Sequence, residues 1–219
     1  MTEAYLERLP YWDKLSGAER GAVRAGAVER SYSRGETIHG GGVECLGMVM
    51  VLSGLTRTYV LSEEGREVTL FRTGEGKCCV LSASCVISQI TFDTFMCAET
   101  DCKLLVVPTG VFGALTRENI YVRCYMYEQA TSRFSDVMWA MQNVLFRRFD
   151  QRLAAFLLSE SERTGSNEIR MTHEQIAQNT SSAREVVARM LKRFAADGLV
   201  EARRGAIRII DAGGLRELA

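Results

Sequence analysis

The spacing of apolar positions changes three times along the chain, and each change predicts a different kind of structure. Residues 4–27 have a helical rhythm that breaks near Pro10, and Ser16 followed by Glu19 has the spacing of a capping box opening a short helix. From residue 28 to 107, short runs of Val, Ile, Leu, Met and Thr are punctuated by Gly35, Gly40 to Gly42, Gly54, Gly65, Gly74 and Gly76. Regular turn signals between short apolar runs predict an antiparallel all-β unit, with strands at 28–33, 46–52, 55–61, 66–72, 95–99 and 102–107. Glu63-Glu64-Gly65 is the expected hairpin between two of them.

Pro108 closes the β region and the period lengthens. Val122, Met126, Ala130, Phe134, Val137, Met141 and Leu145 lie three or four apart, and no Pro or Gly occurs from Asn119 to Glu162. This predicts one long helix. Its stripe averages slightly more than 3.6 residues, so it is not expected to be a strict heptad seam. One face is expected to pack on the β unit and part of the helix on a partner subunit; an ordinary intradomain helix is the alternative. Helical character continues from Arg147 to Leu158, and Thr164-Gly165-Ser166-Asn167 is a polar break. Residues 168–210 have the pattern strand, helix, turn, helix, hairpin. The expected division is 1–117, 118–146 and 147–219.

Composition narrows the class. Hydrophobic residues make up 47% and charged residues 25%, as in ordinary globular proteins. The start of the chain carries Glu3, Glu7 and Asp13 without an apolar segment, unlike a signal peptide. Leu46 to Leu55 is too short to span a bilayer. A cytoplasmic protein with no membrane association is expected. Net charge is zero, but residues 147–219 hold 13 Lys/Arg against 10 Asp/Glu, a local +3 balanced by −3 elsewhere. A modest basic patch is compatible with docking on phosphate, and equally with a solvated helix face.

The informative segment runs from Thr172 to Phe194. Thr172, with Gln175 three residues on, is a good N-cap for a first short helix that buries Ile176 and Ala177. Thr180-Ser181-Ser182 supplies a turn. Ala183 to Phe194 is a second helix with Val187, Met190, Leu191 and Phe194 inward and Arg184, Glu185 and Arg189 on the opposite face. A helix entering the major groove N-terminus first brings such residues to base edges. Arg grips guanine O6/N7 and Glu accepts from cytosine N4. Thr172, Ser181 and Ser182 are placed to hold phosphates, and Arg203 and Arg204 belong to a hairpin wing near the backbone. Double-stranded DNA is the expected partner.

At these residues the chain resembles the CRP/FNR superfamily over nearly its full length. Arg34-Gly35-Glu36-Thr37-Ile38 and Val51-Leu52-Ser53-Gly54 look like early signatures of the cyclic-nucleotide-binding β-roll. Phe149-Asp150-Gln151-Arg152-Leu153-Ala154 looks like the hinge after the dimerisation helix. Arg184-Glu185, then Arg189 and Leu191-Lys192, are similar to the recognition helix of the CRP branch, although Ser181 stands where that family usually has Gly. The resemblance implies an α+β fold: an N-terminal antiparallel β-roll of jelly-roll type, a dimerisation helix and a C-terminal winged helix-turn-helix. It also implies a homodimer on a palindromic TGTGA-like site, with RNA polymerase as a further partner.

The effector region departs from the family. Cys78-Cys79 occupy the approximate position of the Gly-Glu pair of the cyclic-nucleotide binders, and no Arg lies between Arg72 and Arg117. Without that charge-assisted fork, cAMP is not expected to bind. Seven cysteines, an odd number, argue against a disulfide framework. Lys77 beside Cys78 would favour thiolate, so Cys78, Cys79, Cys85 and Cys97 are candidate sensors of redox state, a metal or haem. They are also candidate packing residues. The first cysteine is Cys45 and no C-x-x-C occurs, which disfavours an FNR-type iron–sulfur cluster and a zinc ribbon. His39 is a conceivable haem ligand; with only His173 besides, an enzyme is not expected. The competing reading is a redox or ligand-binding module that acts through protein partners without touching DNA.

Overall fold

The computed structural model describes residues 3–40, 45–63, 65, 67–87, 93–203 and 205–219, with 84 and 85 described by backbone alone. The chain forms two compact units, Met1–Leu61 with Leu70–Met138, and Ser62–Thr69 with Trp139–Ala219.

The first unit is built on two four-stranded antiparallel sheets. It opens with helices α1 (Glu3–Leu6) and α2 (Gly17–Gly26), the latter started by the expected Ser16/Glu19 capping box. The strands are β1 (Val28–Tyr32), β2 (Thr37–His39), β3 (Met48–Ser53), β4 (Leu55–Leu61), β5 (Glu67–Gly74), β6 (Cys78–Cys79), β7 (Phe95–Ala98) and β8 (Cys102–Val107). One sheet has the order β1-β8-β3-β6 and the other β2-β7-β4-β5. β3 is apolar almost throughout because both of its faces are covered. Val49 and Val51 share a core with Ile38, Leu70, Met96, Leu104 and Val106 between the sheets. Met48 and Met50 pack on the opposite side, against Leu6, Trp12, Val23, Phe112 and Val122. β1, VERSY, is an exposed edge strand whose charges discourage further pairing. Gly54 turns β3 into β4 with φ +86°, and a Cβ there would overlap the Asp101 carbonyl.

Helix α3 (Thr109–Glu118) follows Pro108, and α4 (Ile120–Phe146) follows Asn119. The Asn119 side-chain oxygen accepts from the Tyr121 and Val122 amides and so starts the long helix. Burial splits the stripe read from the sequence. Val122, Met126, Ala130 and Val137 pack on the β unit, whereas Phe134, Met141 and Leu145 are exposed. The exposed residues belong to a second stripe: Ile120, Cys124, Tyr127, Thr131, Phe134, Met138, Met141 and Leu145, at alternating steps of four and three. The stripe read from the sequence is itself not a heptad; this second, exposed set is. The helix carries two apolar faces, and averaging across them hides the 3.5-residue repeat.

The second unit contains α5 (Phe149–Thr164), β9 (Glu168–Ile169), α6 (His173–Thr180), α7 (Arg184–Ala196), β10 (Val200–Arg203), β11 (Ala206–Ile209) and α8 (Ala212–Leu218). Gly165, at φ +64°, ends α5 in the predicted polar break. Leu153, Leu157, Ile176, Val187, Leu191, Phe194 and Ile207 form its core, and β10-β11-β9 is the wing sheet. The mixed α+β architecture is as expected. α8, started by the Asp211 side chain accepting from the Gly214 amide at 3.0 Å, was not foreseen.

Candidate functional site

The helix-turn-helix is set by its caps. The Thr172 hydroxyl accepts from the Gln175 amide (3.2 Å) and the Gln175 side chain accepts from the Thr172 amide (2.9 Å), which fixes the start of α6. Ser181 then takes φ +51°, the single positive φ outside glycine among the described residues. Its amide and that of Ser182 both donate to the Ala177 carbonyl, closing the turn. This corrects one expectation: Ser181 is only 4% exposed and its amide is spent, so it shapes the turn instead of facing a phosphate. Ser182 is half-buried and Thr172 exposed.

Helix α7 leaves this turn with its outer face unengaged. Val187, Leu191 and Phe194 are buried, and Met190 packs partly beside them. Arg184, Glu185 and Arg189 are all exposed. None of them forms an ion pair among the described residues, unlike Arg193 with Asp197 (3.7 Å) further along the helix. No side chain caps α7. The Val186 amide donates to the Ala183 carbonyl (3.0 Å), which leaves the Arg184 and Glu185 amides at the helix start for an anion. Arg184 opens the helix, where the macrodipole disfavours a cation unless an anion approaches. In the wing, Arg203 is exposed and pairs with Glu201 at 3.0 Å; Arg204 lies outside the described residues.

Of the candidate sensor cysteines, the three with described side chains, Cys78, Cys79 and Cys97, are not brought together. Cys78 and Cys79 pair with Met50 and Val49 of β3, but neighbours on a strand face opposite ways. Cys78 joins the core beneath the helices and Cys79 the core between the sheets. Burial pushes the Cys78 thiol up to about 11, and the Cys79 thiol also rises through burial. Both are therefore protonated at neutral pH. Lys77, exposed at the strand edge, does not produce the thiolate expected from its sequence position. Cys97 sits on the outer face of β7, opposite Thr37 and Arg57. The Cys85 side chain lies outside the described residues. No group of three His, Cys, Asp or Glu suited to a metal occurs among the described residues.

The sequence reading missed three features here. Arg133 of α4 reaches the β unit: it pairs with Asp136 at 2.8 Å, covers the Phe71 ring at 4.6 Å and donates to the Cys78 carbonyl at 3.4 Å. Among the described residues the buried hydroxyls of Thr58 and Thr73 have no partner. Cys45 is disulfide-bonded, whereas Cys78, Cys79, Cys97, Cys102 and Cys124 are free.

Comparison with known proteins matches two parts of the chain. Residues 29–119 fit the cyclic nucleotide-binding domain and residues 151–218 the Crp-like helix-turn-helix domain. A solved structure described as a transcriptional regulator of the Crp/Fnr family from Eubacterium rectale is 38% identical. The alignment covers 97% of this chain and 98% of that one, with a TM-score of 0.93. Transcriptional regulator SdrP of Thermus thermophilus is 26% identical over 77% of this chain and 82% of its own length. Transcriptional regulatory protein btr of Bordetella pertussis is 38% identical over 78 residues, 32% of each chain.

Proposed function

Because the chain belongs to the CRP/FNR family of DNA-binding transcription regulators, we propose that it acts as a homodimer on a palindromic, TGTGA-like operator. In this reading α7 enters the major groove, and Arg184, Glu185 and Arg189 read base edges. Thr172, Ser182, Arg203 and Arg204 hold the backbone. Residues 1–117 sense, 118–146 dimerise and 147–219 bind DNA. The exposed heptad of α4 supports the dimer, since eight positions at steps of four and three suit a two-stranded seam. Two copies of α7 would then face successive major grooves, about one helical turn apart. RNA polymerase is the further partner and the cytoplasm the place of action. No described helix is long and apolar enough to cross a membrane.

The signal in this reading is not cAMP. The segment between Arg72 and Arg117 offers no guanidinium, and Arg133 is already engaged by Asp136. The observation that carries the DNA reading is the unpaired, exposed trio on α7. Its test is a mobility-shift titration with a duplex bearing inverted TGTGA half-sites. Each of Arg184→Ala and Arg189→Ala is expected to cost about 1–3 kcal/mol per lost bidentate contact, with unchanged thermal unfolding. Affinity equal to wild type in both variants would instead favour a module acting through protein partners.

A further inference from the structure

We infer that a surface cavity at one end of the β1-β8-β3 sheet binds a small zwitterion, a free α-amino acid, between Asp101 and Lys103. The inference concerns the first unit alone, and its test does not use DNA. The cavity measures about 310 Å³, at the lower end of the roughly 300–1,000 Å³ common to small-molecule sites. Its lining combines one carboxylate, one ammonium and the hydroxyls of Ser31, Ser33 and Ser53.

The two charges decide the class of ligand. Asp101 and Lys103 line the cavity two residues apart, yet neither forms an ion pair with the other or with any described residue. Glu99, two residues before Asp101, is by contrast closed by Arg72 at 2.6 Å. A simple anion would be repelled by Asp101 and a simple cation by Lys103, whereas a zwitterion gives each charge an opposite partner. Its ammonium donates to the Asp101 carboxylate and its carboxylate accepts from Lys103. Register places Lys103 between Ser31 of β1 and Ser53 of β3, so hydroxyl donors flank the ammonium for the remaining carboxylate lone pairs. Tyr32 and Cys102, paired across β1 and β8, also pack in the core between the sheets and contribute apolar surface for the ligand's side chain.

The walls are held before any ligand arrives. One Asp101 carboxylate oxygen accepts from the Arg34 amide at 2.8 Å, which leaves the other for the ligand. The Glu99 and Thr100 amides both donate to the Leu55 carbonyl (2.9 and 3.3 Å), and the Thr100 hydroxyl accepts from the Leu55 amide (2.9 Å). The turn before β8 is thereby fixed to the start of β4, and binding needs little further ordering.

The test titrates the full chain with glycine, L-alanine, L-serine, L-threonine, L-valine and L-glutamine, by calorimetry and by thermal unfolding. At least one is expected to bind once per chain and to raise the melting temperature by about 3 °C at ten times its Kd. Its N-acetyl derivative, which lacks the ammonium, and its amide, which lacks the carboxylate, are each expected to bind about tenfold more weakly or less. Lys103→Met and Asp101→Asn are expected to lose binding, and Lys103→Arg to keep it. Without ligand each variant should melt within about 2 °C of the parent, because both positions are exposed and Asn still accepts from the Arg34 amide. Binding by no member of the panel overturns the site. So does equal affinity for the blocked derivatives, or unchanged binding in Lys103→Met and Asp101→Asn.

Discussion

Arg184 illustrates how a single residue separates a recognition surface from a solvated one. A cation at the first position of a helix is opposed by the macrodipole; Glu185 adds a negative charge in the same turn, but Arg184 forms no ion pair among the described residues and no side chain caps the helix. Sequence alone identified the side chain and its face but not its lack of an ion pair, because pairing depends on neighbours that only the fold supplies. Ser181 shows the reverse. Its turn position was legible, but its burial was not, since Ser is usually exposed. The φ of +51° makes a prediction. Ser181→Val places a β-branched side chain in the left-handed region and is expected to cost roughly 2 kcal/mol in chemical denaturation. Ser181→Gly is expected to stay within about 1 kcal/mol of the parent, because relieved strain offsets added chain entropy. Equal stabilities of the Val and Gly variants would remove the strain argument. Cys78 makes a second. Its thiol is raised to about 11 by burial, from 9.0. The folded state therefore holds this proton more tightly than the unfolded chain. The contribution is fully present below pH 9 and is lost as pH rises through 11. Melting temperature should fall over that window, and less steeply in Cys78→Ala. An identical slope in both proteins would place the alkaline loss elsewhere, with Cys79, Cys102, Tyr11 and Tyr125, all raised by burial, as the other groups.

Among the elements, α4 was the hardest to read correctly. Its length was plain from the absence of Pro and Gly, but apolar residues surround much of its circumference, and periodicity cannot assign two faces at once. Exposure does: Phe134, Met138, Met141 and Leu145 lie 39–65% exposed at heptad spacing. Phe134→Glu with Met141→Glu puts two charges per chain in the proposed seam. Sedimentation should then report a monomer at concentrations where the parent is a dimer, with the far-UV helix signal retained. A dimer that survives both charges would rule out this seam. Cys124 probes the same geometry, because it is exposed on the stripe. In a parallel, in-register pair its Cα would lie about 6 Å from the partner's, within disulfide reach. Copper-phenanthroline oxidation should then link two chains, and Cys124→Ser should not link. The short strands β2 and β6 were missed for another reason. Three-residue and two-residue strands carry no periodicity, and Lys77-Cys78-Cys79 reads as a thiol cluster until register sends the two sulfurs to opposite cores.

For the molecule as a whole, the order of elements was legible because each unit's pattern is locally consistent: glycine-separated strands first, then the 3.6 rhythm, then caps around a turn. The contacts of Arg133 were not legible, since they join residues far apart in sequence. Charge is the property that acts at this largest scale. The chain is neutral overall, with +3 in residues 147–219 against −3 elsewhere, so beyond a Debye length of about 10 Å the field largely cancels. Attraction to DNA must then come from contact with phosphates, not from long-range steering. If each subunit of a dimer neutralises about three or four phosphates, log affinity should fall with log salt at a slope of roughly −6. Arg203 and Arg189 should divide this behaviour. The Arg203–Glu201 pair is 62% and 45% exposed and weakly held, so Arg203 is free to exchange its carboxylate for a phosphate. Arg203→Ala should reduce the magnitude of the slope by about 2 for two subunits, leaving the preferred sequence unchanged. Arg189→Ala should relax the preference at one base pair of each half-site. Should Arg203→Ala alter base preference while Arg189→Ala changes only the salt slope, the wing and not α7 would be the reading element, and the orientation proposed for the helix-turn-helix on the duplex would have to be reversed.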